Sequence, residues 1–230
     1  MTKTRERILQ TAERLFAEHG FAGTSLRLLT RHAGVNLAAV NYHFQSKTRL
    51  IEVILERRLD LLNNQRLTAL ASLSSAKHDS TEQRLAEILD AFIRPAILIG
   101  HSTRGGGPSF VRLLARTYVE NSEELRNFIS RHYGHVMRRF SAAIATELPH
   151  LHPEELYWRF DFIIGAMTYT MADFRGVKKS AAIADHAQQE AVIERLVHFA
   201  VAGLMAPHQV SAAIHTPMID HFDNREDIAS

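Results

Sequence analysis

The run Gly34-Val35-Asn36-Leu37-Ala38-Ala39-Val40-Asn41-Tyr42-His43-Phe44-Gln45-Ser46-Lys47 carries the residue types best suited to chemistry, and that chemistry is recognition of a nucleic acid. The Asn41 amide can read a base edge or a phosphate, where a phenol in its place would mainly touch the sugar-phosphate backbone. Presenting such groups to a groove requires a short helix behind a sharp turn. Gly34 supplies the permissive backbone, Val35 an apolar anchor and Asn36 an N-cap. Val40 and Phe44, four residues apart, can face a core while Leu37, Ala38, Asn41, Tyr42 and His43 point outward.

The neighbouring segments supply the elements that hold this helix. Thr24-Ser25 can cap a helix with Leu26, Leu29 and Ala33 at helical spacing, so two short helices bracket the Gly34 turn as a helix-turn-helix. Before it, Ile8, Leu9, Ala12, Leu15 and Phe16 form one stripe of a helix that stops at Gly20. After it, Ser46 caps a long fourth helix marked by Leu50, Ile51, Ile54, Leu55, Leu59 and Leu62.

With Thr24-Ser25, Ala33-Gly34-Val35, Tyr42-His43-Phe44 and Ser46-Lys47 at these spacings, the first fifth of the chain resembles the TetR family of transcriptional regulators. Many members have two tyrosines before His-Phe where this chain has Asn41-Tyr42, so contacts at that point are not carried over. The resemblance implies an all-α protein in which a three-helix DNA-binding domain precedes a larger helical domain for effector binding and dimerisation. It also implies a repressor, a palindromic double-stranded operator and a homodimer formed through the last two helices. Asn36, Leu37, Ala38, Asn41 and Tyr42 are expected to address the groove, and Thr24, Ser25, Arg27, His43 and Lys47 to hold phosphates.

Charge agrees with that division. Residues 1–50 hold eight lysines and arginines against three glutamates, a net +5, while the other 180 residues carry 19 basic against 22 acidic side chains, a net −3. A basic head on a mildly acidic body is attracted to phosphate through the head. Hydrophobic residues at 46% and charged ones at 23% describe a folded protein, with no apolar run near the length of a membrane span and no cysteine. A cytoplasmic location is the expectation.

Further along, helical stripes alternate with short breakers. A loop from Leu73 ends in a Thr81 cap, Arg94-Pro95 interrupts or kinks the next helix, and Pro108 with Ser109 starts another after the glycine-rich stretch Arg104 to Gly107. Helices at about 123–148, 153–174 and 188–206 bring the count to roughly nine. Domains are expected at 1–50 for DNA binding and 51–206 for effector binding and dimerisation, with a disordered tail over 207–230.

The penultimate stripe, from Leu156 to Phe174, is apolar on more than one side, so a helix there needs two covers. The last stripe, with Val192, Leu196, Phe199, Ala200 and Gly203, is flat and suits a symmetry mate, and Trp158 is expected to join that interface. Phe92, Phe110, Leu113, Phe128, Tyr133, Met137, Phe162 and Met167 could line an apolar tunnel, with Arg112 or Arg116 at an acidic head group. In its recognition run, in Phe110 to Leu114 and in Glu154 to Gly165-Ala166, the chain also resembles the fatty-acid-responsive subgroup typified by PsrA. That likeness implies a long-chain fatty acid or acyl-CoA as the small apolar effector.

Other chemistry finds little support. The Arg104 to Ser109 loop lacks the spacing of a nucleotide-binding loop. His132 with His135 and His150 with His152 are close in sequence, but no cysteine joins them and no zinc-protease pattern occurs, so neither a metal nor another cofactor is expected. No nucleophile elbow, Walker loop or dinucleotide fingerprint points to an enzyme. The alternative to an inducible repressor is an architectural DNA-binding factor of the same fold that answers to no ligand.

Overall fold

Side-chain caps fix where the first helices begin. The computed structural model describes residues 3–73, 80–99, 107–119, 123–172 and 186–207. In it Ser25 accepts a hydrogen bond from the Leu28 N–H, Asn36 from Ala39 and Ser46 from Arg49, opening α2 (Leu26–Ala33), α3 (Leu37–Phe44) and α4 (Lys47–Ser72). Upstream lies α1 (Lys3–Gly23), whose path breaks at Gly20 with φ 78° and ψ 170° before one more turn reaches Gly23. The expected stop at Gly20 is therefore a break. Gly34, at φ 59° and ψ 43°, closes α2 in the left-handed conformation that glycine adopts without steric penalty.

All five apolar positions expected in α1 are buried, as are Leu29, Ala33, Val40, Phe44 and the six leucines and isoleucines expected in α4. One apolar cluster runs from these residues into the rest of the protein. The expected boundary at residue 50 falls inside α4, which continues without a break to Ser72. The head is thus built on the end of a helix that also belongs to the body.

The body comprises α5 (Thr81–Ile99), α6 (Gly107–Val119), α7 (Glu123–Glu147), α8 (Pro153–Ala172) and α9 (His186–Met205). Nine helices and no strand occur among the described residues. α5 lies against α4, α7 and α9, while α6 packs on α1 and α8 and so links head to body. At the centre Phe92 meets Phe140 edge-on at 5.0 Å and Phe160 at 5.1 Å. No described helix is long and apolar enough to cross a membrane.

Two expected boundaries move. Ser80, not Thr81, caps α5, because its hydroxyl accepts from the Gln83 N–H at 3.1 Å and its carbonyl from Arg84. α6 starts at Gly107, one residue before Pro108. Pro95 does not end α5. It removes the N–H that would reach the Ala91 carbonyl, and one residue on, the Arg66 Nε donates to the Phe92 carbonyl at 2.9 Å while its guanidinium lies 3.8 Å from the Phe92 ring centre. That side chain supports α5 beside the proline. Arg94 braces the same stretch from outside, bonding Asp90 on its own helix and Glu190 on α9 at 2.6 Å, and these carboxylates hold its pKa above the ordinary arginine value. The glycine-rich loop at 101–106, Phe174 and the tail beyond Pro207 lie outside the described residues.

Candidate nucleic-acid interface

The recognition helix α3 buries Val40 and Phe44 to 1% exposure each and turns its other side outward. Tyr42 is 84% exposed and Leu37 50%, unusual values for large apolar side chains. Asn36, Ala38 and Asn41 share that exposed side, and His43 is half-buried with its ring 5.1 Å from that of Tyr42. The outward set expected from the sequence is thus assembled on one short helix. An amide, a phenol and small side chains form a face that can approach base edges closely.

Basic side chains frame it. Arg27 and Arg31 lie exposed on α2, and neither makes an ion pair among the described residues. Two further arginines reach the helix-turn-helix from α1: Arg7 Nη2 lies 3.4 Å from the Gly34 carbonyl, and the Arg5 guanidinium sits 5.3 Å from the Phe44 ring centre. The sequence counted both as charge, but only the folded approach of α1 to the turn reveals their position. The three glutamates of the head are engaged elsewhere. Glu6 pairs with Arg57 at 2.7 Å, Glu13 with Arg58 at 2.8 Å and Glu18 with Arg14 at 3.1 Å. Acid and base are therefore segregated within the head, and the field beside α3 is positive.

Two of the residues expected at phosphates turn inward. Thr24 is 1% exposed, and its hydroxyl is committed to the Gly20 carbonyl at 2.8 Å and the Leu15 carbonyl at 3.2 Å. It ties the broken end of α1 to the start of α2 and has no route to a phosphate. Lys47 Nζ donates to the Phe21 carbonyl at 2.8 Å and the Thr24 carbonyl at 3.1 Å, and lies 4.3 Å from the Phe21 ring centre. Its charge reinforces the positive head while two of its three donors stitch the α1–α2 junction. Ser25 remains exposed as the cap of α2.

The end of α3 was not legible in the sequence. Gln45 has φ 65° and ψ −46°, the only positive φ of a non-glycine residue among those described. The Ser46 N–H donates to the Phe44 carbonyl across it at 2.7 Å, closing a γ-turn of the rare positive-φ kind. Such a backbone costs a residue with a Cβ about 1–3 kcal/mol.

In the body the expected tunnel residues divide. Phe92, Phe110, Leu113, Phe128, Tyr133 and Met167 are buried in the apolar cluster, and Met137 packs partly against it. Burial and a hydrogen bond to Asp60 at 2.8 Å push the Tyr133 phenol well above its usual pKa. Phe162 does not belong with them, being 66% exposed beside Trp158. Neither expected head-group arginine faces the cluster: Arg112 is exposed, and Arg116 reaches across to the Glu18 carbonyl of α1 at 3.1 Å. A cation beside the cluster is Arg66, 6% exposed, whose hydrogen bonds include those to the Phe92 carbonyl, the Asn63 amide oxygen and the Met167 sulfur. A groove of about 570 Å³ lies elsewhere, between the end of α4, α5 and α9, and is lined by Leu73, Glu82, Glu87, Asp90, Glu194 and His198 among others. No group of three or more metal-binding side chains occurs among the described residues.

On α8 and α9 the exposed apolar residues are Trp158, Phe162, Tyr169, Phe199 and Met205. Together with Leu37 and Tyr42 of α3 they account for seven of the eight large apolar side chains exposed among the described residues, so apolar exposure there is confined almost entirely to two faces. Gly165 and Gly203 keep the α8–α9 face low, with nothing near the place a Cβ would take. Arg159 locks the two helices together, donating to the Gly203, Leu204 and Ala206 carbonyls at the end of α9 and to Glu155. Of the stripe expected to meet a symmetry mate, Phe199 and Gly203 are exposed and Val192 is half-buried, but Leu196 and Ala200 point into the protein's own core.

Comparison with known proteins agrees with this arrangement. The family model described as bacterial regulatory proteins, tetR family, matches residues 8–54, and that of the tetracyclin repressor-like C-terminal domain matches 90–203. The chain is 30% identical over 86 residues to the probable HTH-type transcriptional regulator YttP of Bacillus subtilis, 37% of this chain and 40% of that protein. Over 54 residues it is 41% identical to the HTH-type transcriptional regulator AcrR of Shigella flexneri, 24% of this chain and 25% of that one. It thus spans less than half the length of these curated relatives. The structure of the fatty acid degradation regulator FadR from Bacillus halodurans superposes with a TM-score of 0.59 over 90% of this chain and 99% of that one, and at 13% identity this likeness is one of fold. With its head and its body each matched by a family model, the chain belongs to the TetR family of bacterial regulators.

Proposed function

We propose that the protein is a sequence-specific transcriptional repressor that binds a palindromic operator as a homodimer and is released by a small apolar effector. The observation that carries this reading is the exposed Leu37–Asn41–Tyr42 face of α3 beside Arg27 and Arg31, which are exposed and make no ion pair among the described residues. One such helix covers too little groove for tight binding, whereas two held about 34–36 Å apart read successive major grooves. The α8–α9 face supplies the apolar surface for a second copy. Asn36, Leu37, Ala38, Asn41 and Tyr42 address bases, and Ser25, Arg27, Arg31, His43 and, from α1, Arg5 and Arg7 address phosphates.

The effector is a long-chain fatty acid or acyl-CoA. Supporting this are the aromatic and thioether side chains of the central cluster, the buried Arg66 cation beside them and the likeness in fold to the fatty acid degradation regulator of Bacillus halodurans. An acid head group reaching Arg66 would form a charge-assisted pair with it, and an acyl chain would separate Phe92, Phe140 and Phe160. α6, packed on α1, carries that change to the head, so that effector binding favours a conformer whose heads are poorly spaced for the operator.

Selection of bound fragments from the source genome, with and without a long-chain acyl-CoA, tests both levels. A few palindromic promoter sites lost on adding the acyl-CoA support the full reading. Palindromes indifferent to it leave the regulator and remove the effector, while binding without a shared sequence identifies the ligand-independent architectural alternative.

A further inference from the structure

We infer that Gln45 is a DNA-contact residue whose side-chain amide donates to a phosphate at the end of the recognition helix. This inference rests on the repressor reading and deepens it. Gln45 holds the strained centre of the Phe44–Gln45–Ser46 γ-turn, a place where glycine would sit without a clash. The same protein uses glycine at the other left-handed helix end of this motif, Gly34. Among the described residues nothing accounts for the side chain at position 45: it is exposed, and its amide makes no hydrogen bond to them. The backbone of the turn, by contrast, is fully used, with the Gln45 N–H bonded to the Asn41 carbonyl at 2.9 Å and the Ser46 side chain capping α4. Strain held by a residue whose side chain the fold does not use points to a use for that side chain outside the fold. Geometry says which use. Gln45 follows the last residue of α3, beyond Asn41 and Tyr42 that face the groove, so the DNA group in line with it is the groove wall. An uncharged amide there donates one hydrogen bond and displaces no counterion.

The test compares Gln45→Gly, Gln45→Ala and Gln45→Glu in the full-length protein by thermal unfolding and by titration of an operator duplex and a scrambled duplex. Gln45→Gly and Gln45→Ala are expected to weaken both duplexes by the same factor, about three- to tenfold, with an unchanged salt slope. Gln45→Gly should unfold at the wild-type temperature or above it. Gln45→Glu, which aims an acid at the phosphate, should bind more weakly than Gln45→Ala. Wild-type affinity in Gln45→Ala, or equal affinity in Gln45→Glu and Gln45→Ala, overturns the assignment, as does a loss confined to Gln45→Gly. A wild-type protein that does not distinguish operator from scrambled duplex is a separate result, and it removes the repressor reading itself.

Discussion

Arg58 of α4 grips Glu13 of α1 through two hydrogen bonds, Nε to Oε1 at 3.1 Å and Nη2 to Oε2 at 2.8 Å, with the two side chains only 9% and 10% exposed. The pair fastens the first helix of the head to the helix that runs on into the body. Head and α4 therefore move as one piece, which is the mechanical condition for a signal in the body to change the spacing of two heads.

Breaking that pair from one side leaves a charge buried alone. Arg58→Ala should destabilise the protein by about 3–5 kcal/mol, read from urea unfolding. Replacing both partners by apolar residues of similar size, Glu13→Leu with Arg58→Met, should recover most of the loss. If the single substitution proves neutral, the α1–α4 link is not held as described.

The recognition face should separate affinity from specificity. Tyr42→Ala and Asn41→Ala are expected each to reduce the preference for operator over scrambled DNA by about 1–3 kcal/mol, the worth of one well-formed base-edge interaction. Arg27→Ala and Arg31→Ala should weaken both duplexes alike and lower the salt slope by about one unit each. Lys47→Ala should also lower the unfolding temperature, because two of its donors hold the α1–α2 junction. Titrations at several salt concentrations distinguish these patterns.

Partner and core functions of the last helix should come apart within one stripe. Phe199→Glu or Phe162→Glu, on the exposed α8–α9 face, should yield a folded monomer by sedimentation. Leu196→Ala, on the buried side, should leave the dimer intact and cost about 2–5 kcal/mol of folding stability. The reverse outcome would place the dimer on another surface.

Acid should weaken the contact between α1 and α4. The Arg57 guanidinium, bonded to Glu6 at 2.7 Å, holds that carboxyl below its ordinary value of 4.5. A carboxyl with a depressed folded pKa contributes stability that is present above the unfolded value and lost as pH falls through the folded one. Unfolding measured from about pH 6 down to about pH 3 should therefore show a loss beginning near 4.5 that is smaller in Arg57→Ala. Both side chains are partly exposed, so the effect is modest and salt-sensitive.

Much of this was legible because it is local. Caps at Ser25, Asn36 and Ser46, the turn at Gly34 and the apolar spacing of Ile8 to Phe16 each depend on residues within one or two turns, and the fold followed from them. The outward face of α3 followed too, because Val40 and Phe44 fix which side is in. What the sequence misplaced depends on distant partners. Thr24 and Lys47 look like surface polar groups until Gly20 breaks α1 and offers them free carbonyls. Phe162, Leu196 and Ala200 lie on helices that are apolar around most of their circumference, where periodicity does not tell the inner side from the outer. The place of Arg66 is not legible in the sequence, because a charge in a leucine-rich helix reads as solvated until Pro95 and the Phe92 carbonyl stand beside it.

The central claim is that α3 reads sequence, and one titration addresses it: full-length wild type and Tyr42→Ala, each against the selected operator and against a scrambled duplex of the same composition at a fixed physiological salt concentration. The account predicts that wild type binds the operator about a thousandfold or more tighter than the scrambled duplex, that Tyr42→Ala loses much of that ratio, and that both proteins bind the scrambled duplex equally. Equal affinity of the wild type for the two duplexes would contradict it.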